Sequence, residues 1–270
     1  MKLIKISTVF FLTIIFFSSC TDIIKLDLKN TEPRIVIEAN LNTTDSTFST
    51  NLKMSNEFYE NGDFKKVTGA IVILKNEDGT SYTIPETEDG LYFLKDIISE
   101  PTDTFTVTVN DGITTYEATT ATPYPAEIGQ ILPAPFNPPG GGPPNGEEDR
   151  DFYQILTLWK DSANIDNFYR IKNYVNNEFE ADNYILTDDR FANGDTITSV
   201  MMLELYSGDT FKLELLSTNK GYFDYFYDIA ILYSRGPGGT TPYNPKSNFN
   251  NNALGYFGIY SVSEIEFTLP

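Results

Sequence analysis

Short stretches of alternating apolar and polar residues, separated by turn residues, fill the first half of the chain after residue 34. Seven such stretches between residues 35 and 119 predict β-strands. Thr104 to Val109 shows the pattern most clearly, because its apolar side chains alternate with threonines and therefore predict one buried face. Asp78-Gly79 is typical of a hairpin turn, since glycine takes a positive φ without a Cβ clash. The pattern predicts an immunoglobulin- or transthyretin-like β-sandwich over residues 34–122.

The strand pattern resumes after residue 150 and predicts a second β-rich domain over residues 123–270. Leu254 to Tyr260 and Val262 to Leu269 predict two closing strands. The fold class expected from these patterns is mainly β, with two β-sandwich-like domains, the second carrying one packed helix.

That helix is predicted over residues 219–235, where apolar residues recur at helical spacing. Ser217 or Thr218 is the expected N-cap, and Gly236-Pro237 is the expected stop. The apolar face consists of Phe223, Phe226, Tyr227, Ala230 and Ile231.

Proline and glycine dominate residues 133–149. Proline has no backbone N–H and its φ is fixed, so this stretch is expected to form a loop that pairs with no sheet. Its acidic residues, Glu147 to Asp149, are interpreted as part of a solvated loop and not as a metal site.

The N-terminus reads as a lipoprotein signal peptide over residues 1–19. Lys2 and Lys5 precede an apolar run from Ile6 to Phe17, and Ser18-Ser19 stands before Cys20. The run is too short for a mature membrane span, which needs roughly 20 apolar residues. We expect cleavage before Cys20, lipidation of its sulfur and amine with palmitate-type acyl chains, and a tether over residues 20–33.

Composition excludes several classes of chemistry. The 270 residues contain no histidine, and Cys20 is the single cysteine, so Ser-His-Asp and Cys-His catalysis and histidine- or thiolate-bound metals are excluded. The formal net charge of -19 is unsuited to nucleic acid or anionic lipid, so membrane attachment is expected through the lipid alone. Neither a cofactor nor a catalytic residue is predicted.

Two candidate sites have competing interpretations. Asp188-Asp189 with Asn193-Gly194-Asp195 offers oxygen ligands for calcium, but Asn-Gly is equally typical of a hairpin turn, which we favour. Tyr256-Phe257 and Tyr260 offer rings for stacking on sugars or peptides, but packing in the core is the favoured interpretation.

Paired carboxylates for glycoside hydrolysis stay open as a possible catalytic site, because the chain has many acidic residues and nothing singles out a pair. The glycine runs at 140–142 and 236–239 lack the context of a phosphate-binding loop.

Several spaced pieces of the sequence resemble an uncharacterised family of Bacteroidota outer-membrane lipoproteins, known as domain of unknown function 4249. The pieces are Cys20, Val67 to Val72, Gly90-Leu91-Tyr92, Asp188 to Gly194, Asn244-Pro245, Ser247-Asn248 and Leu254 to Ser261. The resemblance covers nearly the whole mature chain, and the last piece is the most specific. It implies an accessory protein that accompanies a TonB-dependent receptor in nutrient capture, and it brings no catalytic residue.

The sequence therefore predicts a lipid-anchored, non-enzymatic accessory or binding protein of the outer membrane. Its expected partner is a TonB-dependent receptor, with a small-molecule, peptide or glycan ligand left open. The alternatives are a surface glycan hydrolase that uses two carboxylates and a structural or adhesion module of the cell envelope. Which face of the membrane the protein occupies also stays open.

Overall fold

The structure is a computed structural model, and it describes residues 32–56, 63–136, 150–180, 184–234 and 243–269. The predicted signal peptide, Cys20 and most of the tether lie outside the described residues. Pro33–Pro270 forms one compact unit.

The described residues form sixteen strands and one helix. The strands of the first half are β1 (Ile35–Asn42), β2 (Thr47–Met54), β3 (Ile71–Asn76), β4 (Ser81–Ile84), β5 (Glu86–Glu88), β6 (Leu91–Leu94), β7 (Thr104–Asn110) and β8 (Thr115–Ala121). The second half contributes β9 (Ile128–Phe136), β10 (Arg150–Lys160), β11 (Phe168–Val175), β12 (Glu178–Phe179), β13 (Ile185–Asp188), β14 (Thr196–Tyr206), β15 (Thr210–Thr218), α1 (Lys220–Tyr233) and β16 (Leu254–Thr268).

These strands form three sheets in a sandwich-like arrangement. The largest has nine strands, in the order β12-β11-β15-β16-β1-β2-β6-β5, with β13 also paired to β11. The other two are a four-stranded sheet, β4-β3-β7-β8, and a three-stranded sheet, β14-β10-β9. The predicted fold class is confirmed: the protein is mainly β, with one helix near the C-terminal end of its described part. β1 and β16 pair in parallel, so strands from both sides of residue 122 share the nine-stranded sheet.

Two hydrophobic cores lie on the same face of the nine-stranded sheet. The first packs β1 and β16 against the four-stranded sheet, and the second packs β11, β15 and β16 against the three-stranded sheet. β16 shows this directly: Phe257 and Ile259 belong to the first core, whereas Ile265 and Phe267 pack on the second. Because side chains two residues apart point to the same side of a strand, one face of β16 serves both cores.

The prediction of two closing strands is wrong, because β16 is continuous from Leu254 to Thr268. Its first part pairs with β1, from Leu254 to Tyr260, and its second part pairs antiparallel with β15, from Tyr260 to Thr268. The pairing strand therefore changes from β1 to β15 at Tyr260, although β16 continues without a break. The sequence has no proline or glycine at this point that would end the strand.

Asparagine side chains complete the edge of β16 that β1 does not occupy. The backbone N–H of Phe257 donates to Asn248 Oδ1 (2.8 Å), and Asn248 Nδ2 donates to the Phe257 carbonyl (2.9 Å). The N–H of Ile259 donates to Asn219 Oδ1 (2.9 Å). These amides take the place of a neighbouring strand, so the part-buried backbone groups of β16 keep their hydrogen bonds.

The predicted helix is confirmed as α1, but its predicted N-cap is wrong. Ser217 and Thr218 are the last residues of β15, and Asn219 occupies the N-cap position without a side-chain capping bond. Its amide bonds to β16 instead, which ties the start of the helix to the sheet. Gly236-Pro237, the predicted stop, lies outside the described residues.

α1 packs on the face of β16 opposite the two cores. Tyr222 and Phe226 contact Tyr256, with ring centres 5.3 and 5.2 Å apart respectively. A Cβ at Gly258 would lie 2.4 Å from the Tyr222 ring, so only glycine allows the helix this close. Tyr227, predicted for the packed face, is half exposed. Within the described residues, no helix has the length and apolar character needed to cross a membrane.

The prediction that residues 133–149 form an unpaired loop is wrong for their first part. Pro133 and Pro135 lie in β9 and face Ile155 and Tyr153 of β10. β9 is an edge strand, and the two prolines are two residues apart, so their missing N–H groups fall on the unpaired side. Residues 137–149 lie outside the described part of the chain.

Gly255 provides a test of how tightly β1 and β16 are joined. It has φ +95°, and a Cβ there would lie 2.0 Å from the Ile37 carbonyl oxygen. Gly79, in the β3–β4 hairpin, has φ +96° with open space around it. Gly79→Ala should lower the free energy of unfolding by about 1 to 2 kcal/mol, the cost of the positive φ alone. Gly255→Ala should lose at least about 2 kcal/mol more, because the backbone of β1 must move.

Urea unfolding of the two variants beside the wild type measures both losses. Equal losses for Gly79→Ala and Gly255→Ala would contradict the close approach of β16 to β1.

Candidate ligand-binding cleft

A cleft of about 510 Å³ opens between the loop after β13 and the first two turns of α1. We call it the α1 cleft. It is lined by Asp166, Phe168, Asp188, Asp189, Arg190, Asn193, Lys220, Phe223, Asp224 and Tyr227. Asp188, Asp189 and Asn193, which the sequence singled out as candidate ligands, therefore line the same cleft as residues of α1. The sequence gives no sign that these two segments are neighbours.

The loop that supplies one wall is a compact turn. The Ala192 N–H donates to the Asp189 carbonyl (2.8 Å), and the Asp195 N–H donates to the Ala192 carbonyl (2.8 Å). The turn joins different sheets, since β13 pairs with β11 and β14 pairs with β10. The hairpin interpretation is therefore wrong, although the segment is a turn. Gly194 adopts φ +75°, and a Cβ there would meet Ala163 at 2.7 Å.

Two buried carboxylates hold this turn in place. Asp161 and Asp189 are each 4% exposed. Asp161 accepts hydrogen bonds from the Tyr169 hydroxyl and from the Gly194 N–H (2.8 Å). Asp189 Oδ2 accepts from Asn193 Nδ2 (3.2 Å). Burial raises the pKa of the Asp189 carboxyl, and the nearby negative charge of Asp161 raises it further.

The two cations that line the cleft are already paired with carboxylates. Arg190 Nε donates to both oxygens of Asp188 (2.8 and 2.9 Å), and Lys220 Nζ lies 2.7 Å from Asp224 Oδ1. The hydrogen bonds from Arg190 hold the pKa of the Asp188 carboxyl below its usual value. In the part of the chain that the structure describes, no three acidic side chains are arranged to hold a metal ion. The calcium interpretation therefore has no assembled ligand set among these residues.

Aromatic rings line the other side of the cleft. Phe223 and Tyr227 stack with their centres 5.9 Å apart and their planes 16° from parallel. Phe168 lies 5.2 Å from Phe223, and Lys220 Nζ lies 5.7 Å from the Phe168 ring centre. Tyr227 is 50% exposed, so its ring is open to a ligand. Exposed rings beside paired charges can bind a partner by stacking and by hydrogen bonds at the rim.

The rings of Tyr256, Phe257 and Tyr260 do not form an open stacking surface. Phe257 is fully buried in the first core, and Tyr256 is covered by α1. Burial raises the pKa of Tyr256 well above its usual value. Tyr260 lines a separate polar pocket with Lys172 and Lys212. Packing, the favoured interpretation, describes the first two rings.

Arg170 is a buried cation that the sequence analysis missed. It is 5% exposed, its Nη1 donates to the Tyr222 hydroxyl (2.8 Å), and its guanidinium lies 3.9 Å from the Phe226 ring centre. Its Nε has no hydrogen-bond partner among the described residues. Cation–π contact with Phe226 offsets part of its desolvation and fastens α1 to β11. The only local signal in the sequence is that Arg170 stands between Tyr169 and Ile171 in a predicted strand.

Comparisons with known proteins identify a family but no activity. A family model described as "Domain of unknown function (DUF4249)" matches residues 21–266. No curated protein sequence matches the chain. One similar solved structure is the Yersinia pseudotuberculosis adhesin InvE, at 18% identity and a TM-score of 0.21. That alignment covers 68% of this chain and 55% of the adhesin chain, and a TM-score this low supports no argument about structure or function.

The buried Asp189 carboxyl predicts a pH-dependent effect of Asp189→Asn. Its pKa is raised in the folded state above an unfolded value of about 3.9, so the folded state binds this proton more tightly. The group therefore stabilises the wild type below about pH 4 and loses that contribution as the pH rises through the raised pKa. Asparagine has no charge to bury and keeps an oxygen for Asn193. The free energy of unfolding of Asp189→Asn, relative to wild type, should increase between pH 4 and pH 7.

Urea unfolding at several pH values measures this difference. Asp195→Asn, an exposed position in the same loop, is the control and should show no such trend. If the curves of Asp189→Asn and wild type are parallel across this range, the buried-carboxylate account is wrong.

Proposed function

Because the chain belongs to the family of domain of unknown function 4249, we propose that it is a lipid-anchored, non-enzymatic binding or accessory protein of the outer membrane. The observation that carries the proposal is Cys20, the single cysteine, placed directly after a short apolar leader and two serines. The proposed partner is a TonB-dependent receptor, in keeping with the family resemblance of the sequence.

The chemistry of the α1 cleft supports binding over catalysis. The chain has no histidine, and both cleft cations are held by carboxylates. The open side of the cleft presents Tyr227, whose half-exposed ring suits contact with a partner. We propose that this cleft is where the protein contacts its ligand or receptor.

Pieces of the family resemblance that are far apart in sequence meet around α1, the helix that forms the other wall of the cleft. Asp188 to Gly194 forms one wall of the cleft. The backbone N–H of Lys246, next to Asn244-Pro245, donates to Asp228 on α1 (2.8 Å). Asn248 supports the strand beneath the helix. A surface built from these segments is a reasonable place for a function that the family shares.

The anchor is tested by mass spectrometry of the protein purified from membranes. The wild type should begin at Cys20 and carry the mass of its acyl chains, whereas Cys20→Ala should keep its leader or leave the membrane fraction. Ser19→Ala is the matched control, since it retains a small residue at the cleavage site and should be processed normally. A wild-type product with an unmodified thiol or an intact leader would refute the anchor.

The partnership is tested by affinity purification of the tagged protein in mild detergent. An outer-membrane transporter should co-purify with the wild type. Removing the exposed ring with Tyr227→Ala should lower its recovery about fivefold or more, as expected when an aromatic contact at an interface is lost. Ile113→Ala, at a residue 93% exposed in the β7–β8 hairpin, is the control and should not change recovery.

Recovery of no transporter would count against docking. Equal recovery with Tyr227→Ala and wild type would show that the contact does not involve the open side of the cleft. Turnover of any glycan that disappears on a single Asp→Asn or Glu→Gln change would contradict the non-enzymatic part of the proposal.

A further inference from the structure

β14 forms the outer edge of the three-stranded sheet. It is eleven residues long and pairs over its whole length with β10. In the described part of the chain no strand pairs with its other edge. Such an edge presents a row of backbone N–H and C=O groups that can accept another strand.

The other sheet edges among the described residues are short or blocked. β9 carries Pro133 and Pro135. On β8, the N–H and the carbonyl of Glu117 both bond to Asn250, and Asn251 Nδ2 donates to the Thr115 carbonyl (2.7 Å). The remaining edge strands are short: β4 and β13 have four residues each, β5 has three and β12 has two. Proteins commonly protect their edges in these ways. Among the described residues, β14 is blocked only at its last residue, Tyr206, whose N–H donates to Asp209 Oδ2 (2.7 Å) and whose carbonyl accepts from the Asp209 N–H (3.0 Å).

The sequence of β14 is suited to pairing in an otherwise acidic protein. Its residues, TITSVMMLELY, include no proline or lysine and a single charged residue, Glu204. Val200 and Met202 are 47% and 61% exposed on its outer face. Val200 lies opposite Leu156 of β10, which in turn lies opposite Leu132 of β9, so an apolar row reaches this edge.

We propose that β14 pairs antiparallel with β14 of a second copy of the chain, around a two-fold axis at Met201. This centre places each strand opposite the whole of its counterpart, because Met201 is the middle residue of Thr196–Tyr206. The new hydrogen bonds lie between the two ends, since Tyr206 is already bonded to Asp209. The proposal goes beyond the proposed function and does not depend on it.

This register is self-complementary. Val200 of each copy lies opposite Met202 of the other, and Glu204 lies opposite Thr198, so no like charges face each other. On the inner face, the buried Ile197 and Leu205 lie opposite each other across the axis, so the two second cores become continuous. A second copy therefore provides partners for the free backbone groups of the edge, avoids facing like charges and covers the exposed apolar side chains.

Sedimentation velocity of the purified full-length mature protein in detergent tests the proposal. The wild type should show a monomer–dimer equilibrium between about 1 and 100 µM, the range in which a modest interface is populated. The double variant Val200→Lys/Met202→Lys places lysine opposite lysine twice, and dimerisation should weaken roughly tenfold or more. Ile71→Lys/Ile113→Lys, at isoleucines 59% and 93% exposed elsewhere, is the matched control and should dimerise like the wild type.

A charge-swap mixture tests the register. Val200→Glu/Met202→Glu should be as poor a dimer as the lysine variant, but an equal mixture of the two should dimerise again, since each lysine then faces a glutamate. A wild type that stays monomeric to about 100 µM, a dimer insensitive to the lysine pair, or a mixture that stays monomeric would each overturn the proposal.

Discussion

β16 is the strand on which the rest of the structure depends, because two different partners share its length. β1 pairs with its first half and β15 with its second half, and one face of the strand enters both cores. Along the first half, Asn219 and Asn248 supply hydrogen bonds to the edge of β16 that β1 does not occupy. A break in β16 would therefore separate the two cores and also remove the support beneath α1.

The same constraint explains the most specific piece of the family resemblance. Between Leu254 and Ser261, Gly255 lets β1 approach and Gly258 lets Tyr222 of α1 approach. On the helix, a Cβ at Gly221 would lie 2.5 Å from the Asn248 amide that completes the strand edge. Gly255 and Gly258 are required by close packing, so the Leu254–Ser261 piece reflects the architecture of the protein. The α1 cleft inherits its position from this architecture, since one of its walls is the helix that β16 supports.

The sequence predicted the elements whose patterns are local. Alternating residues in β1 and β7 and helical spacing in α1 correspond to the observed strands and helix. The parallel pairing of β1 with β16 joins residues more than 200 positions apart, and no local pattern reports it. The prolines of β9 predict a loop when only the local sequence is considered, but proline is excluded from a central strand and not from the outer side of an edge strand.

The candidate site was predicted in part. Asp188, Asp189 and Asn193 were singled out from their residue types, and they do line the cleft, but as ion-pair and hydrogen-bond partners. The opposite wall, formed by Phe223 and Tyr227, depends on how α1 lies on the sheet. Arg170 was missed for the same reason, since its aromatic neighbours are distant in sequence.

Native-state hydrogen exchange with increasing denaturant tests the role of β16 most directly. If this strand joins the two cores, the slowest amides of β1 and of β15 should open with the same free energy and respond equally to denaturant. Opening of β15 at clearly lower denaturant than β1, or the reverse, would show that the cores unfold separately and would contradict the account.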